Sequence, residues 1–465
     1  MPTENRTEAI TAEQARLRIQ ETAYNRDDPG AKANGPGKIG LEPECFPIRV
    51  DADGVPCGRL HLKGAHGTLS ILDRFAAKDS RIVERPTDQA PPPLLMLANG
   101  GRLTFEPGGQ IEHSTAVHSS GAAALDDAAD VTEMLSKLLG PHDTMLAFTG
   151  LDLWNDVKDV PQQLDAPRYY CMASYFAKRS EGGRTMMRHT ASMQVNLDLG
   201  PPGVAEERWL IANLASPFAT ATFASSPEGP NVSSRAMAWQ ALDVTRTGFP
   251  APLVLGTGND PVEHWTAATL AADVMIFWKA DGTSTCGTPG FTFGDWLENG
   301  HPDFGWPTIS DLDYHLTTLF FEVRLRGFYE LRAIEAVPPH LRAVPTVLFA
   351  GLMYDDQARQ EALGQLDSLR SELPSLWLRS ARVGLADDVL FTHSENLWTS
   401  ALAGARRLPT GFFRPEHLQT AACFLEEYTA NRKAPVDDVR AALANGPKAA
   451  LQWATGDVGI CTKDD

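Results

Sequence analysis

The chain has no apolar run long enough to cross a membrane, although 43% of its 465 residues are hydrophobic. A membrane-spanning helix needs about 20 consecutive residues that are mostly apolar. The first residues, Met1 to Glu13, are polar and lack the apolar segment of a secretory signal. These absences exclude a membrane helix and predict a cytoplasmic protein.

Positive charge and paired cysteines are also scarce. Lysine and arginine number 41 against 59 acidic residues, which gives a net charge of −18. That balance argues against a basic surface for nucleic acid or anionic lipid. The six cysteines are scattered and form no C-x-x-C pair, so we expect neither a disulfide framework nor an oxidising compartment. The sequence leaves open whether the chain forms a single regulatory disulfide.

Several common catalytic motifs are missing. The chain has no G-x-x-x-x-G-K-[ST] phosphate loop, no H-E-x-x-H zinc helix and no G-x-S-x-G elbow. Gly256-Thr257-Gly258 is only a fragment of a dinucleotide fingerprint. If the protein uses ATP, a site built on a sheet must hold the nucleotide.

Four short, strand-like segments each place two polar residues two positions apart. The pairs are Glu42 and Glu44, Gln110 and Glu112, Gln194 and Asn196, and Glu330 and Arg332. In a strand, residues i and i+2 point to the same face, while the apolar residues between them pack on the other. Clustered carboxylates repel one another, and divalent cations with a polyphosphate relieve that repulsion. The pattern therefore indicates an ATP- and magnesium-dependent enzyme.

Each motif also has a simpler interpretation. Glu42-Pro43-Glu44 fits an edge strand with solvated acids, because proline favours sheet edges. The segment Glu106-Pro-Gly-Gly-Gln110 fits a hairpin turn with exposed acids, or a turn whose glycines let a ligand approach. The acid-x-Arg patterns at 322–324 and 330–332 fit internal salt bridges.

Two arginines lie in a polar stretch with few helix signals, residues 225–248. Arg235 and Arg246 are candidates for substrate binding, because a guanidinium binds a carboxylate or a phosphate with two hydrogen bonds. Ordinary surface arginines are the alternative.

The order of predicted elements favours an α+β fold. Residues 1–36 are predicted to be an N-terminal extension with one helix, and residues 37–465 a catalytic domain. Strands dominate its first part, including a predicted pair at 59–63 and 67–72, and residues 346–465 are mostly helical. Strands and helices do not alternate regularly, which argues against a doubly wound parallel sheet.

Several segments, taken in order, resemble one family. They are Ile39-Gly-x-Glu42-x-Glu44-x-Phe46, Glu106-Pro-Gly-Gly-Gln-Ile-Glu112, Gln194-Val-Asn-Leu-Asp198 and His315-Leu-Thr-Thr-Leu-Phe-x-Glu-Val-Arg-Leu-Arg326. The family is that of the glutamate–cysteine ligases of plant and proteobacterial type, and the actinobacterial ligases of ergothioneine synthesis are similar. The resemblance runs from about residue 38 to at least 355.

The resemblance implies a glutamine-synthetase-like catalytic fold, with a curved, mainly antiparallel sheet and helices outside. It implies that glutamate, cysteine and ATP give γ-glutamylcysteine through a γ-glutamyl phosphate, with Mg²⁺ or Mn²⁺ as cofactor. The implied metal-binding residues are Glu42, Glu44, Glu106, Glu112 and Glu330, with Gln194 nearby. By the same resemblance, Glu330 and Arg332 are catalytic, Arg332 meets the phosphoryl group or the glutamate, and Arg235 binds the glutamate α-carboxylate.

Three alternatives stay open at this point. The amine acceptor could differ from cysteine, or the protein could be a phosphotransferase like the guanidino kinases. A catalytically inactive binding protein is disfavoured, because every acidic position of the motifs is occupied. The partners expected are small molecules only, without nucleic acid or membrane, and the chain is expected to be a monomer or a homodimer.

Overall fold

Two antiparallel sheets and a large set of helices form the described part of the chain. The structure is a computed structural model that describes residues 8–24, 35–84, 94–279 and 282–456. The strands are β1 (Ile39–Val50), β2 (Pro56–Arg59), β3 (Ile82–Glu84), β4 (Leu95–Leu97), β5 (Arg102–Phe105), β6 (Ile111–Ser114), β7 (Thr144–Ala147), β8 (Met193–Asp198), β9 (Ile276–Trp278), β10 (Ser284–Cys286), β11 (Val323–Leu325) and β12 (Phe328–Leu331).

The α-helices lie between the strands and beyond them. They are α1 (Ala12–Ala23), α2 (Thr68–Ala76), α3 (Gly121–Leu139), α4 (Pro167–Ala177), α5 (Gly182–His189), α6 (Val204–Thr222), α7 (Ser234–Gln240), α8 (Val244–Thr247), α9 (Ala251–Leu255), α10 (Pro261–Ala271), α11 (Phe293–Asn299), α12 (Ile309–Leu316), α13 (Ala343–Tyr354), α14 (Asp356–Leu366), α15 (Leu373–Arg382), α16 (Asp388–Arg407), α17 (Pro415–Glu427), α18 (Pro435–Ala444) and α19 (Pro447–Thr455).

The larger sheet has ten strands, and all its pairs are antiparallel. Its order is β11-β12-β8-β1-β6-β5-β4-β3, and β2 and β7 both pair with β1. This arrangement confirms the predicted α+β class with a mainly antiparallel sheet. The edge-strand interpretation of Glu42-Pro43-Glu44 is wrong, because β1 lies between β8 and β6.

The sheet has one apolar face and one polar face. Leu41 of β1, Val195 of β8 and Tyr329 of β12 are fully buried in the main hydrophobic core. Helix α13 contacts β8 and helix α6 contacts β12, and both helices contribute buried residues to the same core. Because side chains alternate along a strand, the polar residues next to each of these positions point to the other side.

The C-terminal part is helical, as the sequence predicts for residues 346–465. Helix α13 is buried along its whole length and packs against α16 and α17. Residues 457–465 lie outside the described residues. The helical region therefore supports the sheet from its apolar side.

The predicted helix of the N-terminal extension is confirmed as α1. Thr11 caps it by accepting a hydrogen bond from the backbone N–H of Gln14. Its buried residues Ala15 and Ile19 belong to the main core, and it contacts α10 and α12. The predicted loop at 25–38 lies mostly outside the described residues, and the domain boundary at residue 36 stays a prediction.

The predicted strand at 67–72 is wrong, because this segment begins α2. Thr68, Ile71 and Leu72 are its buried residues, at the i, i+3, i+4 spacing of a helix face. The chain also turns back on itself here, since the N–H of Leu69 donates to the carbonyl oxygen of Leu62. A short apolar run of this kind fits a helix as well as a strand.

A disulfide bond links Cys171 in α4 to Cys286 in β10. The sequence analysis allowed for one disulfide, but the spacing of the cysteines did not predict which two would pair. Cys45 is a buried free thiol and Cys57 an exposed one.

Among the described helices, none combines the length and the apolar character that crossing a membrane requires.

Protonation of buried histidines should weaken the fold in acid. The His315 imidazole donates from Nε2 to the carbonyl oxygen of Thr269 at 3.0 Å and stacks on Phe293. Burial, with the nearby positive charge of Arg246, lowers the pKa of His315 from 6.5 to about 3. Below pH 6.5 the unfolded chain therefore binds a proton that the folded chain does not.

We predict that the free energy of unfolding falls as the pH drops from 6.5 towards 4. His315 alone contributes a slope approaching about 1.4 kcal/mol per pH unit. Urea unfolding at several pH values should show a shallower slope for His315→Gln than for the parent chain. The same change at the exposed His66 is the control, and equal slopes for both variants would contradict the prediction.

Candidate active site

The strand register sets the predicted site residues side by side on the polar face of the sheet. The paired positions are Glu42 with Gln194, Glu44 with Glu112, Glu330 with Asn196, and Arg324 with Glu330. Residues directly opposite one another in an antiparallel pair have Cβ atoms roughly 4.5–5.5 Å apart. The polar pairs of four separate segments thus form one surface.

A cavity of about 610 Å³ lies over this surface. Its acidic lining consists of Glu42, Glu44, Glu106, Glu112 and Asp313, and its basic lining of Arg18, Arg102, Arg168, Arg235, Arg324, Arg326 and Arg332. Tyr169, Trp239, Trp265 and Phe320 supply aromatic walls. Negative charge on the sheet faced by many guanidinium groups suits a ligand that carries both anionic groups and bound cations.

Hydrogen bonds fix the orientation of the two acids of β1. Glu44 accepts from the backbone N–H and the hydroxyl of Ser192, both at 2.8 Å, and from Gln194 Nε2 at 3.1 Å. Glu42 accepts from Asn196 Nδ2 at 2.9 Å. The neighbouring strand therefore aims both carboxylates at the cavity.

The acids are held close together, and burial with their mutual repulsion outweighs the effect of the nearby arginines on their pKa values. Burial and repulsion from Glu112 raise the pKa of Glu42 from 4.5 to about 7. Burial and repulsion from Glu112 and Glu44 raise the pKa of Glu106 to about 8. The pKa values of Glu44 and Glu112 are also raised, mainly by burial. A cation in the cavity would favour the ionised form of all four.

The donor set fits a hard divalent cation that binds together with a substrate. Within the described ranges, no three or more His, Cys, Asp or Glu side chains converge as a preformed metal site. Magnesium commonly takes only one or two protein carboxylates and completes its shell with water and phosphate oxygens. The oxygen atoms of Glu42, Glu44, Glu106 and Glu112 suit that mode of binding.

Glu330 lies outside the cavity lining and is fully buried. Arg324 binds both of its carboxylate oxygens, Arg326 lies 3.1 Å from Oε1, and Arg332 lies 3.4 Å from Oε2. Burial disfavours the charge, but these guanidinium groups hold the pKa of Glu330 well below its usual value. The predicted metal ligand is thus an anchor for arginines in this structure.

Arg332 and Arg235 line the cavity next to each other. Arg332 donates to Gln194 Oε1 at 3.2 Å, and Arg235 donates to the carbonyl oxygen of Arg332 at 3.0 Å. Both guanidinium groups lie over the ring of Trp239, at 5.5 Å and 6.0 Å from its centroid. The structure therefore brings these two predicted residues together.

Arg246, the third predicted substrate-binding arginine, does not line the cavity. It is fully buried and binds Asp243 at 3.0 Å. Its other nitrogens donate to Thr318 and to the carbonyl oxygen of Asp273. With its donors used inside the protein, Arg246 braces α8 against the segment before β11.

The glycines of the turn at 106–110 are needed for packing against protein atoms. A Cβ atom on Gly108 would lie 2.2 Å from the carbonyl oxygen of Arg188, and Gly109 has a φ of +83°. The turn closes by a hydrogen bond from the N–H of Gly109 to the carbonyl oxygen of Glu106. The suggestion that a ligand approaches these glycines is wrong, because the backbone of Arg188 occupies the space at Gly108 and the side chain of Gln163 occupies the space at Gly109.

Sequence reasoning missed several residues of the lining. Arg102 of β5 and Arg168 of α4 belong to no motif that the sequence marked, and Arg18 and Thr22 come from the N-terminal helix. Arg324 was part of the acid-x-Arg pattern at 322–324, and Arg326 stands two positions further on, the spacing that identified the acidic pairs. That spacing could have found Arg326, whereas nothing local marks Arg18.

The acidic face of the sheet and the arginines around it form one charged cavity, and comparison with known proteins identifies the family. Residues 65–411 match Glutamate-cysteine ligase family 2 (GCS2). The chain therefore belongs to glutamate–cysteine ligase family 2 and is a ligase, as the resemblance in its motifs implied.

The similar proteins include glutamate–cysteine ligases of bacteria and of plants. The glutamate–cysteine ligase EgtA of Mycolicibacterium smegmatis is 31% identical over 351 residues, covering 74% of this chain and 78% of that protein. The chloroplastic glutamate–cysteine ligase of Medicago truncatula is 30% identical over 276 residues, covering 56% of this chain and 52% of its own length.

A distant likeness to a solved structure was also found. The complex between the prokaryotic ubiquitin-like protein Pup and its ligase PafA matches 91% of this chain and 73% of that chain, with a TM-score of 0.38 and 12% identity. At this distance the likeness carries no argument about fold or function.

We predict that Glu330→Gln lowers the free energy of unfolding by about 3–5 kcal/mol, because buried guanidinium groups lose their anion. Urea unfolding at neutral pH measures the change. Arg326→Gln is the matched control, since its side chain is 44% exposed and its ion pair should contribute less than about 1 kcal/mol. A Glu330→Gln variant as stable as the control would show that the arginines do not depend on this carboxylate.

Proposed function

We propose that this chain joins the γ-carboxyl group of glutamate to the amino group of cysteine in an ATP-dependent reaction that yields γ-glutamylcysteine, ADP and phosphate. Membership of glutamate–cysteine ligase family 2 and the names of the relatives support this proposal. The observation that carries it is the cavity, which opposes Glu42, Glu44, Glu106 and Glu112 with arginines. Magnesium-bound ATP and an amino-acid carboxylate are ligands of matching charge.

The four acids are the proposed ligands of Mg²⁺ or Mn²⁺, with Gln194 orienting Glu44 beside them. The bound cations would screen the phosphate oxygens of ATP from the carboxylates. Glu330 is left out of this set, because three arginines already engage its oxygens.

Arg235 is the proposed partner of the glutamate α-carboxylate, and Arg332 of the phosphoryl group in transfer. A guanidinium group matches both anions with paired hydrogen bonds. Stacking on Trp239 restricts both side chains before a substrate arrives. Preorganised donors stabilise developing charge without reorganisation during the reaction.

The chemistry requires two steps. An amine cannot displace an oxide from a free carboxylate, so the γ-carboxylate oxygen first attacks the γ-phosphorus of ATP and ADP leaves. The cysteine amine then attacks the carbonyl carbon of the acyl phosphate, phosphate leaves with the former carboxylate oxygen, and the amine loses a proton. Arg332 would stabilise the charge on the phosphoryl group in both steps.

Activity should require a divalent cation. We predict that EDTA abolishes turnover and that Mg²⁺ or Mn²⁺ restores it, because clustered carboxylates need a cation to bind a polyphosphate. A readout independent of turnover is the melting temperature with a non-hydrolysable ATP analogue, which should rise further when Mg²⁺ is added. Full activity in EDTA would refute the metal assignment.

Glutamate binding should depend on Arg235. A charged hydrogen-bonded pair contributes about 1.5–3 kcal/mol, so Arg235→Ala should raise the KM for glutamate roughly 10- to 150-fold. The KM for ATP should change little. Arg414→Ala is the control, because Arg414 pairs with Asp126 away from the cavity. A rise in the KM for ATP alone would assign Arg235 to the nucleotide.

Isotope transfer separates the ligase from a phosphotransferase. With ¹⁸O in the γ-carboxylate of glutamate, the acyl-phosphate route places label in the released phosphate. A phosphotransferase like the guanidino kinases would form ADP without free phosphate. Label that stays in the dipeptide and never reaches phosphate would rule out the proposed intermediate.

The identity of the amine acceptor is tested by the same assay. Cysteine should support phosphate release at lower concentration than other amino acids, with glutamate fixed. A different preferred amine would keep the ligase chemistry and change the product.

A further inference from the structure

We propose that Glu335, a fully buried residue outside the cavity, is a positioning residue that sets the location of Arg235 through a cluster of serines. Nothing in the motifs marks it, since it follows the Glu330-x-Arg332 pair by a few residues. This inference rests on the proposed role of Arg235 in glutamate binding. The argument depends on which groups surround the Glu335 carboxylate.

Both carboxylate oxygens of Glu335 accept hydrogen bonds from serines. Oε1 accepts from the hydroxyls of Ser226, at 2.6 Å, and Ser233. Oε2 accepts from the backbone N–H of Ser225 and from its hydroxyl at 3.0 Å. Among the described residues, no arginine, lysine or histidine forms an ion pair with this carboxylate. A carboxylate buried without a cationic partner depends on hydrogen-bond donors, and the three serines supply them.

The serines that bind Glu335 also hold the start of α7. The Ser226 hydroxyl accepts from the backbone N–H of Arg235 at 3.1 Å. The Ser233 hydroxyl caps the helix by accepting from the backbone N–H of Ala236 at 3.1 Å. Because each hydroxyl donates its hydrogen to Glu335, its lone pairs are directed at the backbone of α7. The carboxylate therefore orients the helix that carries Arg235.

Further contacts join α7 to the segment after β12 that carries Arg332. Arg235 donates to the carbonyl oxygen of Arg332, three residues before Glu335. Glu335 also forms a backbone bridge with Ser192, the residue that binds Glu44. One buried carboxylate thus ties the proposed glutamate-binding side chain to the wall of the cavity.

Space around Glu335 is limited, so the side chain cannot relocate. A Cβ atom on Gly150 would lie 2.3 Å from the Glu335 carboxylate carbon. Replacement by glutamine would keep the shape but turn one acceptor into a donor. That amide nitrogen would then face either the N–H of Ser225 or two hydroxyls that must reverse their hydrogen bonds.

The test compares Glu335→Gln with a matched control, Asp127→Asn. Asp127 is also a buried carboxylate that accepts from a backbone N–H, that of Ala116, but it lies away from the main cavity. Both variants should lose stability. Only Glu335→Gln should raise the KM for glutamate, by about 5- to 30-fold, with the KM for ATP near the parent value.

A double-mutant cycle identifies the route of the effect. In the Arg235→Ala background, Glu335→Gln should add little to the KM for glutamate, because the residue through which it acts is gone. Full additivity would overturn the positioning role, as would a KM for glutamate that is unchanged in a folded Glu335→Gln protein. If Arg235→Ala itself leaves that KM unchanged, the proposed function of Arg235 fails instead.

If Glu335→Gln does not fold, Ser226→Ala tests the same proposal. Ser226→Ala removes the acceptor for the Arg235 N–H and leaves the carboxylate with Ser225 and Ser233. We expect a rise in the KM for glutamate in the same direction. A folded Ser226→Ala protein with the parent KM would overturn the proposal.

Discussion

A carboxylate buried in a protein needs a positive charge or several hydrogen-bond donors. The acids on the polar face of the large sheet differ in how far this need is met. Glu330 is balanced by arginines of the chain itself and has a lowered pKa. Glu42 and Glu106 lack that balance, and their pKa values rise to about 7 and about 8. A bound cation would favour the ionised form of these acids, and under the proposed function the surrounding arginines bind the anions that accompany the cation.

Local pattern was enough to predict which residues share a face. The i, i+2 spacing identified Glu42, Glu44 and Glu112, and all three line the cavity. Local pattern could not predict the register between strands far apart in the chain, which sets Glu42 directly opposite Gln194. Nor could it distinguish Arg235 from Arg246, because tertiary packing alone exposes one to the cavity and buries the other.

The helices show the same division between local and tertiary information. Capping residues are local signals of helix starts, and Asp260 caps α10 by accepting a hydrogen bond from the backbone N–H of Val262. The short apolar run at 67–72 satisfied both periodicities, and contacts with residues 61 and 62 selected the helix. The serines around Glu335 gave no signal at all, because hydroxyl groups near a carboxylate become visible only once β12 and α7 are packed together.

The position of β1 in the sheet has a consequence for biosynthesis. This strand leaves the ribosome first among those of the sheet, yet its flanking partner β8, and then β12 beyond it, follow long after. Pairings between such distant segments form slowly, because the loops between them must close first. Until β8 and the helices that cover the sheet have been synthesised, β1 has one edge partly unpaired and its apolar face, including Leu41, uncovered. Nascent chains would therefore expose an apolar strand of the kind that chaperones protect from aggregation.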